Sequence, residues 1–466
     1  MKVDHQLLIN ANQYLKDQGI KGQIVFRSER SHLVRAGRNQ VSLNTSEEAA
    51  RFFVQIQLGK KQSKGEFVLK NNTTEELIHE IKELQATLPL LPEIDHLGDL
   101  LNLAQGDYND DHSDMDMINM DTSLMVDVYA KAVNKFADKG CEVSGAFSLG
   151  TYAYSIINTN VEQPISYRGS DYNVDVVLQL KEHNNKEIKS SQVGASLAEI
   201  NADAMIEELD RHFLVKTTTH RKSVPIGKYN VIFGPEAVAE ILAYTSWVGF
   251  SGESYLMQTG MFKKGQHDIG SKVFGDNITI TNDPTSKHSL FKRRVGLNGI
   301  LRPAHTIINK GILKNLIYSS KDICDRYGIV VDNDFATASF ELLPGTGPAT
   351  WTELVQQTKE PTLYINTLHY MNFTNVAKGE FTATSRFGTY LISEGKVQDH
   401  LYNIRVNDSF HHVFNNVHWL SSKVTSVNLS STYGMRLASS VSVPEWIEVK
   451  DVPITACFAP ELSENA

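Results

Sequence analysis

The stretch that most constrains this chain is residues 235–262, PEAVAEILAYTSWVGFSGESYLMQTGMF, which reads as a helix running into a glycine-bearing break and a loop. Pro235 suits a first helical turn, where its missing N–H costs nothing, and Glu236 and Glu240 stand where the helix dipole favours negative charge. Ala237, Ile241, Tyr244 and Val248 recur at helical spacing and predict one apolar face. Gly249 and Gly252 then end the regular turn. Around this helix the chain changes from helix–sheet alternation to many short strands with glycine turns. The expected fold class is α+β in two domains. Residues 1–220 would form an N-terminal antiparallel sheet with helices, and residues 221–466 a C-terminal domain dominated by antiparallel strands around the one central helix.

A chain of 466 residues is too long for one ordinary core. Its 41% hydrophobic and 21% charged residues are those of a globular protein, which excludes wholesale disorder. A net charge of -9 argues against a general nucleic-acid binder, whose affinity depends on neutralising phosphates. The three cysteines, Cys141, Cys324 and Cys457, lie far apart without CxxC or Cys/His spacing and read as reduced thiols. No apolar run approaches membrane-spanning length and the start of the chain lacks a signal-peptide core, so a cytoplasmic location is expected.

In chain order, residues 7–15 predict a short helix, and GQIVFRSE, SHLVRAGRNQVS and ARFFVQIQLGKKQSKGEFVL an antiparallel meander of short strands. Arg27, Arg30, Arg35 and Arg38 cluster there without interleaved aromatic platforms, which fits a solvated sheet edge rather than a nucleic-acid patch. Residues 72–88 predict a helix opened by a Thr73/Glu76 capping box. His79-Glu80 inside it begins like a zinc helix, but Glu83 stands where the second histidine belongs. The acidic stretch 106–121 starts with the EF-hand spacing Asp107, Asn109, Asp111, then breaks it with His112 and Ile118. Helices are expected over 123–138 and 197–213, with strands turning at Asn158-Thr159-Asn160 between them.

The segment GKYNVIFGPEAVAEILAYTSWVGFSGESY resembles the region that carries HExxxH in the TldD half of the TldD/TldE (PmbA) peptidase family. Laid on that motif through Val248, Gly249 and Glu253, the positions of its His, Glu and His hold Thr245, Ser246 and Phe250. Metal ligation needs imidazole or carboxylate lone pairs, and water activation needs a titratable base; these three side chains supply neither. Residues five apart on a regular helix point roughly 140° apart, so the family's ligand pair converges only across a helix break, and Gly249 sits where that break is needed. Further landmarks resemble the family: GSKVFGDNITITNDP, Gly379-Glu380-Phe381 and the 390–395 run. Others depart from it, such as Val295-Gly296-Leu297-Asn298-Gly299 in place of an acidic turn and Phe340 in place of an asparagine. A Cys-Gly ligand site near the C-terminus of TldD-type chains is matched by Tyr433-Gly434, and Cys457 does not align with it.

Loss of HExxxH marks the TldE/PmbA side of the family. The resemblance therefore implies a subunit without catalytic residues, metal or cofactor of its own, pairing with a TldD-like HExxxH subunit as a heterodimer, or with itself as a homodimer. It would shape the channel for an unfolded peptide substrate. Gly249, Glu253, Gly379 and Phe381 are the candidate peptide-groove residues, and neither a membrane nor nucleic acid is an expected partner. The one histidine cluster, His411, His412 and His418, reads as buried or surface histidines: neighbours on a strand point to opposite faces, and no carboxylate stands near as a further ligand. The alternative function is a protein-binding regulator of the DNA gyrase modulator type, for which residues 292–294 and 220–222 are the only basic runs. A hydrolase using Ser246 or Ser251 lacks the G-x-S-x-G elbow and any nameable His/Asp partner.

Overall fold

Alternating apolar and polar residues over very long runs build the first half of the molecule. In the computed structural model, which describes residues 5–106, 110–119, 122–180, 186–428, 436 and 440–459, helix α1 (His5–Asp17) leads into strands β1 (Lys21–Gly37) and β2 (Gln40–Leu58). These two are continuous strands of 17 and 19 residues rather than several short ones. Their hairpin closes at Arg38 and Asn39, whose φ values of 52° and 63° give the doubly left-handed turn that matches strand twist. Strand β3 (Lys61–Phe67) and helix α2 (Thr74–Thr87) follow, and both hydrogen bonds of the expected Thr73/Glu76 capping box form. Next come β4 (Asp110–His112), α3 (Met115–Ile118), α4 (Ser123–Phe136), β5 (Cys141–Asn158), β6 (Ile165–Leu180) and β7 (Lys186–Gly194). Helix α5 (Ala202–Thr218) starts and ends later than the periodicity suggests, because residues 197–199 form a separate 3-10 turn with its own Ser196/Glu199 capping box before Asn201 caps the helix.

The strands order as β3-β2-β1-β5-β6-β4, with β7 also on β6. Strand β1 is flanked by β2 and β5 along most of its length, so the arginines at 27, 30 and 35 lie on an interior strand and not on a sheet edge. Helices α1 and α2 bury Leu8, Leu15 and Ile81 against Ile24 and Phe52; α4 and α5 bury Val128, Phe136 and Leu209 against Phe147 and Val174.

The chain crosses to the second half directly after α5. There β8 (His220–Lys222) and β9 (Gly227–Phe233) precede α6 (Pro235–Gly249) and α7 (Gly252–Leu256). Then follow β10 (Ile280–Asn282), β11 (His305–Asn309), β12 (Ile312–Leu313), α8 (Lys321–Tyr327), β13 (Phe340–Leu342) and α9 (Trp351–Gln357). The last third holds β14 (Thr362–Asn375), β15 (Glu380–Ser393), β16 (Lys396–Leu401), β17 (Ile404–Ser409) and α10 (Phe410–Asn415). It ends with β18 (Val417–Leu420), β19 (Val424–Asn428), β20 (Ser440–Pro444) and β21 (Ile447–Cys457).

Strands β14, β9, β21, β17 and β15 pair in that order, and β15 pairs back onto β14, closing a five-stranded ring. A second sheet runs β12-β11-β10-β13-β20-β19. Helix α6 lies in the core between ring and sheet, burying Val238, Ile241 and Leu242 with Ile365, Phe381, Leu342 and Val443. The fold is thus α+β with mainly antiparallel sheets. The two halves interlock: Phe291 and Val295 join the first half's core, where the Tyr154 hydroxyl donates to the carbonyls of Val295 (3.0 Å) and Gly296 (2.8 Å). Among the described residues no helix is long and apolar enough to cross a membrane, and all three cysteines are free thiols.

Candidate functional site

Helix α6 presents two faces with different fates. On one, the Thr245 hydroxyl donates to the Ile241 carbonyl (2.7 Å) and the Ser246 hydroxyl to that of Ala243 (2.7 Å), so each is satisfied within its own helix. Both residues are buried, and Phe250, which closes the helix, packs its ring 5.2 Å from Phe340 and 6.5 Å from Phe262. The three positions read as the lost His, Glu and His are therefore sealed in the core, where they fit no zinc.

The four groove candidates also lie inside the fold. Gly249 abuts Met261 and Phe262, and a Cβ there would meet the Met261 sulfur at 3.1 Å. Glu253 accepts the backbone N–H groups of Ser319 (2.5 Å) and Ser320 (2.7 Å) and the Ser251 hydroxyl (2.8 Å), fastening the entry to α8. Gly379 takes φ 63° to turn the chain, and Phe381 stacks on Phe410 at 4.8 Å. None of the four lines the cleft described below.

The histidines at 411, 412 and 418 do not converge. His411, on α10, stacks on His267 at 5.6 Å beside Phe262 and Phe274, and burial with the neighbouring His267 lowers its pKa. His412 holds Asp408 at 2.8 Å, so a carboxylate does stand beside the cluster, contrary to the sequence reading, and His418 stands exposed on β18. Among the described residues no group of three His, Cys, Asp or Glu side chains could hold a metal ion. Tyr433 lies outside the described residues, as do Asp107 and Asn109 of the acidic stretch.

The opposite face of α6 is the one that meets solvent. Glu236, Ala239, Glu240, Ala243, Tyr244 and Trp247 floor a cleft of about 380 Å³. Its walls are residues 191–193 of β7 and 425–428 of β19. Among the described residues β7 pairs only with β6 and β19 only with β20, so each is an edge strand there. The Asn428 side-chain amide donates to Asp171 at 2.9 Å and ties β19 to β6. Past Ser191, Pro235 and Thr425 the cleft continues into a groove of about 1060 Å³ that reaches Asp114, His288 and Glu445.

Charge in the cleft is unevenly matched. Lys189 Nζ lies 2.6 Å from Glu236 and 3.7 Å from Asp175, and Glu236 also accepts the Thr367 hydroxyl at 3.0 Å. Burial works against both charges, but the pairing outweighs it, raising the Lys189 pKa and lowering that of Glu236. Burial raises the Glu208 pKa, partly offset by the Ser190 hydroxyl it accepts. Glu240, one turn along from Glu236, is pushed up to about 7 by burial and then by Glu236. Periodicity placed Tyr244 with the apolar face; it borders both faces, its ring 4.6 Å from Trp247 and its hydroxyl donating to the Met371 carbonyl at 2.7 Å. The strip Glu236, Glu240, Tyr244, Trp247 repeats at helical spacing opposite Val238, Ile241 and Leu242, and that was the available signal for the cleft.

Residues 226–455 match the PmbA/TldA metallopeptidase C-terminal domain. An uncharacterized protein of Methanocaldococcus jannaschii is 26% identical over 190 residues, 40% of this chain and 44% of that protein, so the match spans less than half the relative's length. The fold is that of TldE from Thermococcus kodakarensis, with a TM-score of 0.79 and 15% identity over 97% of this chain and 100% of that one. A protein from Bacteroides thetaiotaomicron described as a modulator of DNA gyrase superposes with a TM-score of 0.80 at 14% identity, covering 98% of this chain and 100% of its own. One of the same description from Thermotoga maritima gives 0.76 at 14%, covering 97% and 100%. With the domain matched over residues 226–455 and the fold shared along the chain, the chain belongs to the TldE/PmbA family.

Proposed function

We propose that this chain is the non-catalytic subunit of a metalloprotease complex that degrades or processes peptides, working beside a TldD-type HExxxH partner whose substrate channel it helps to form. The reading rests on one observation: β7 and β19, each with an unpaired edge among the described residues, flank a cleft along the helix in which Thr245, Ser246 and Phe250 offer no group able to bind metal or activate water. An extended peptide laid against such edges exchanges main-chain hydrogen bonds with them, which gives affinity without demanding one sequence. Hydrolysis at neutral pH needs a metal-bound water whose pKa approaches 7 or an equivalent base, and the partner would supply it. The regulator alternative draws less support, because Arg293 of the 292–294 run is buried and Arg294 is held by Asp110.

The test is hydrolysis of unfolded peptides by this chain alone, by the HExxxH partner alone and by both, each with and without a chelator. Cleavage should need the partner and be faster with both chains present. Chelator-sensitive cleavage by this chain alone would overturn the proposal, and a partner whose activity ignores it would favour the protein-binding regulator.

A further inference from the structure

Resting on the peptide-binding reading, we propose that the cleft carries a subsite for a basic side chain, with Glu240 as counter-ion and the rings of Tyr244 and Trp247 as the platform beneath it. Around α6 the cleft holds four carboxylates, Asp175, Glu208, Glu236 and Glu240, against one ammonium, that of Lys189, and Glu208 accepts the Ser190 hydroxyl. Lys189 is committed to Glu236 and Asp175, while Thr367 and Ser191 hydroxyls complete the shells of those two carboxylates. Glu240 is left over: it faces the cavity without an ion pair or hydrogen bond among the described residues. Its carboxylate is disfavoured as it stands, so a cation is the ligand charge that would relieve it.

Two aromatic rings beside Glu240 form a second feature, independent of charge. Trp247 is 52% exposed on a helix that is otherwise largely buried, and its ring packs at 4.6 Å and 39° against Tyr244. Tyr244 is fixed by its hydroxyl on the Met371 carbonyl, so the pair forms a preset surface one and two turns beyond Glu240 on the same strip. An ammonium or guanidinium lying over such rings while meeting a carboxylate combines cation–π attraction with an ion pair, and its aliphatic stem covers the exposed indole. A peptide strand aligned with β7 or β19 projects alternate side chains to one face, which gives a route for one of them down to α6.

The probe is a set of fluorescent nine-residue peptides, acetylated and amidated so that no terminal charge competes, differing only at the central residue: Lys, Arg, norleucine or Glu. Binding to the full chain is read by anisotropy. The Lys and Arg peptides should bind about tenfold more tightly than the norleucine peptide, with Glu the weakest. Glu240→Gln, nearly isosteric, should erase the preference while leaving norleucine binding in place, and Trp247→Ala should weaken the basic peptides selectively. Equal binding of Lys and norleucine peptides overturns the subsite while leaving the peptide cleft standing. Binding of none of the four overturns the peptide-binding reading, and the subsite with it. A Lys preference that survives Glu240→Gln assigns the selectivity elsewhere.

Discussion

Three polar side chains of α6, Thr245, Ser246 and Glu236, differ in what holds them. Thr245 and Ser246 bond only to carbonyls of their own helix, so Thr245→Val and Ser246→Ala should each change unfolding free energy by about 1 kcal/mol or less, measured by urea titration. A larger loss would mean these hydroxyls have a role beyond filling the core. Glu236 behaves differently, because Lys189 is largely enclosed and its charge depends on that carboxylate. Glu236→Ala should destabilise by about 3 kcal/mol, and adding Lys189→Met should restore part of it, since breaking a buried pair leaves a charge stranded and removing both does not. That Thr245, Ser246 and Phe250 offer no metal-binding group is legible from residue types alone. The importance of Glu240 is not, because sequence spacing cannot say which strip of a helix faces a gap, and Tyr244 sits on the border between strips.

At the scale of elements, local signals were readable where a helix is specified by its own caps, as with Thr73 and Glu76 at α2. They failed where the stop signal is unusual: the β1–β2 hairpin turns on Arg38 and Asn39 without a glycine, and Ser196 and Glu199 form a capping box for only one turn. What no local pattern could give is how α5 seats on the ring. Its His212 Nδ1 lies 2.8 Å from the Tyr390 hydroxyl, the rings stacked at 5.6 Å, and burial pushes the His212 pKa down to about 3 with help from Arg211 and Lys216. Lys216, four residues on, is pushed down to about 7, mainly by burial and then by Arg221 and Lys186. Both groups are neutral by preference in the fold. The Lys216 contribution is full above its unfolded pKa of about 10.5 and is lost as pH falls to about 7; that of His212 is full above about 6.5 and is lost as pH falls to about 3. Glu208, 4.0 Å from His212, pulls the other way because its carboxyl is raised. Stability measured from pH 7 to 4 should therefore fall in the wild type and fall less steeply in His212→Gln. Parallel slopes would refute the assignment to His212.

The whole molecule is less divisible than its composition suggests. The change of pattern near residue 220 falls where the chain leaves α5 for β8, which pairs with β16 in the sheet that holds the ring. Residues 291–295, second-half by position, nevertheless complete the first half's core: Phe291 and Val295 pack with Tyr152 and Tyr154, and Arg293 lies buried over the Tyr167 ring at 4.7 Å. Arg436 reaches across as well, paired with Asp171 at 2.8 Å and donating to Ser148 at 2.6 Å, with side chains 5% and 2% exposed in the pair. An unsatisfied Asp171 or an unfilled pocket at Phe291 would make the first half unstable alone, so the halves should unfold together. The protein carries its own reporter for this, since all four tryptophans, Trp247, Trp351, Trp419 and Trp446, lie in the second half. Tryptophan fluorescence follows that half, whereas far-UV circular dichroism follows both. In guanidinium the two curves should coincide, and residues 1–220 produced alone should bind a hydrophobic dye such as ANS through the face that Phe291 and Val295 leave open. A circular-dichroism phase without a fluorescence counterpart, or a 1–220 fragment that unfolds cooperatively and binds no dye, would show the halves to be independent and the interlock to be mere contact.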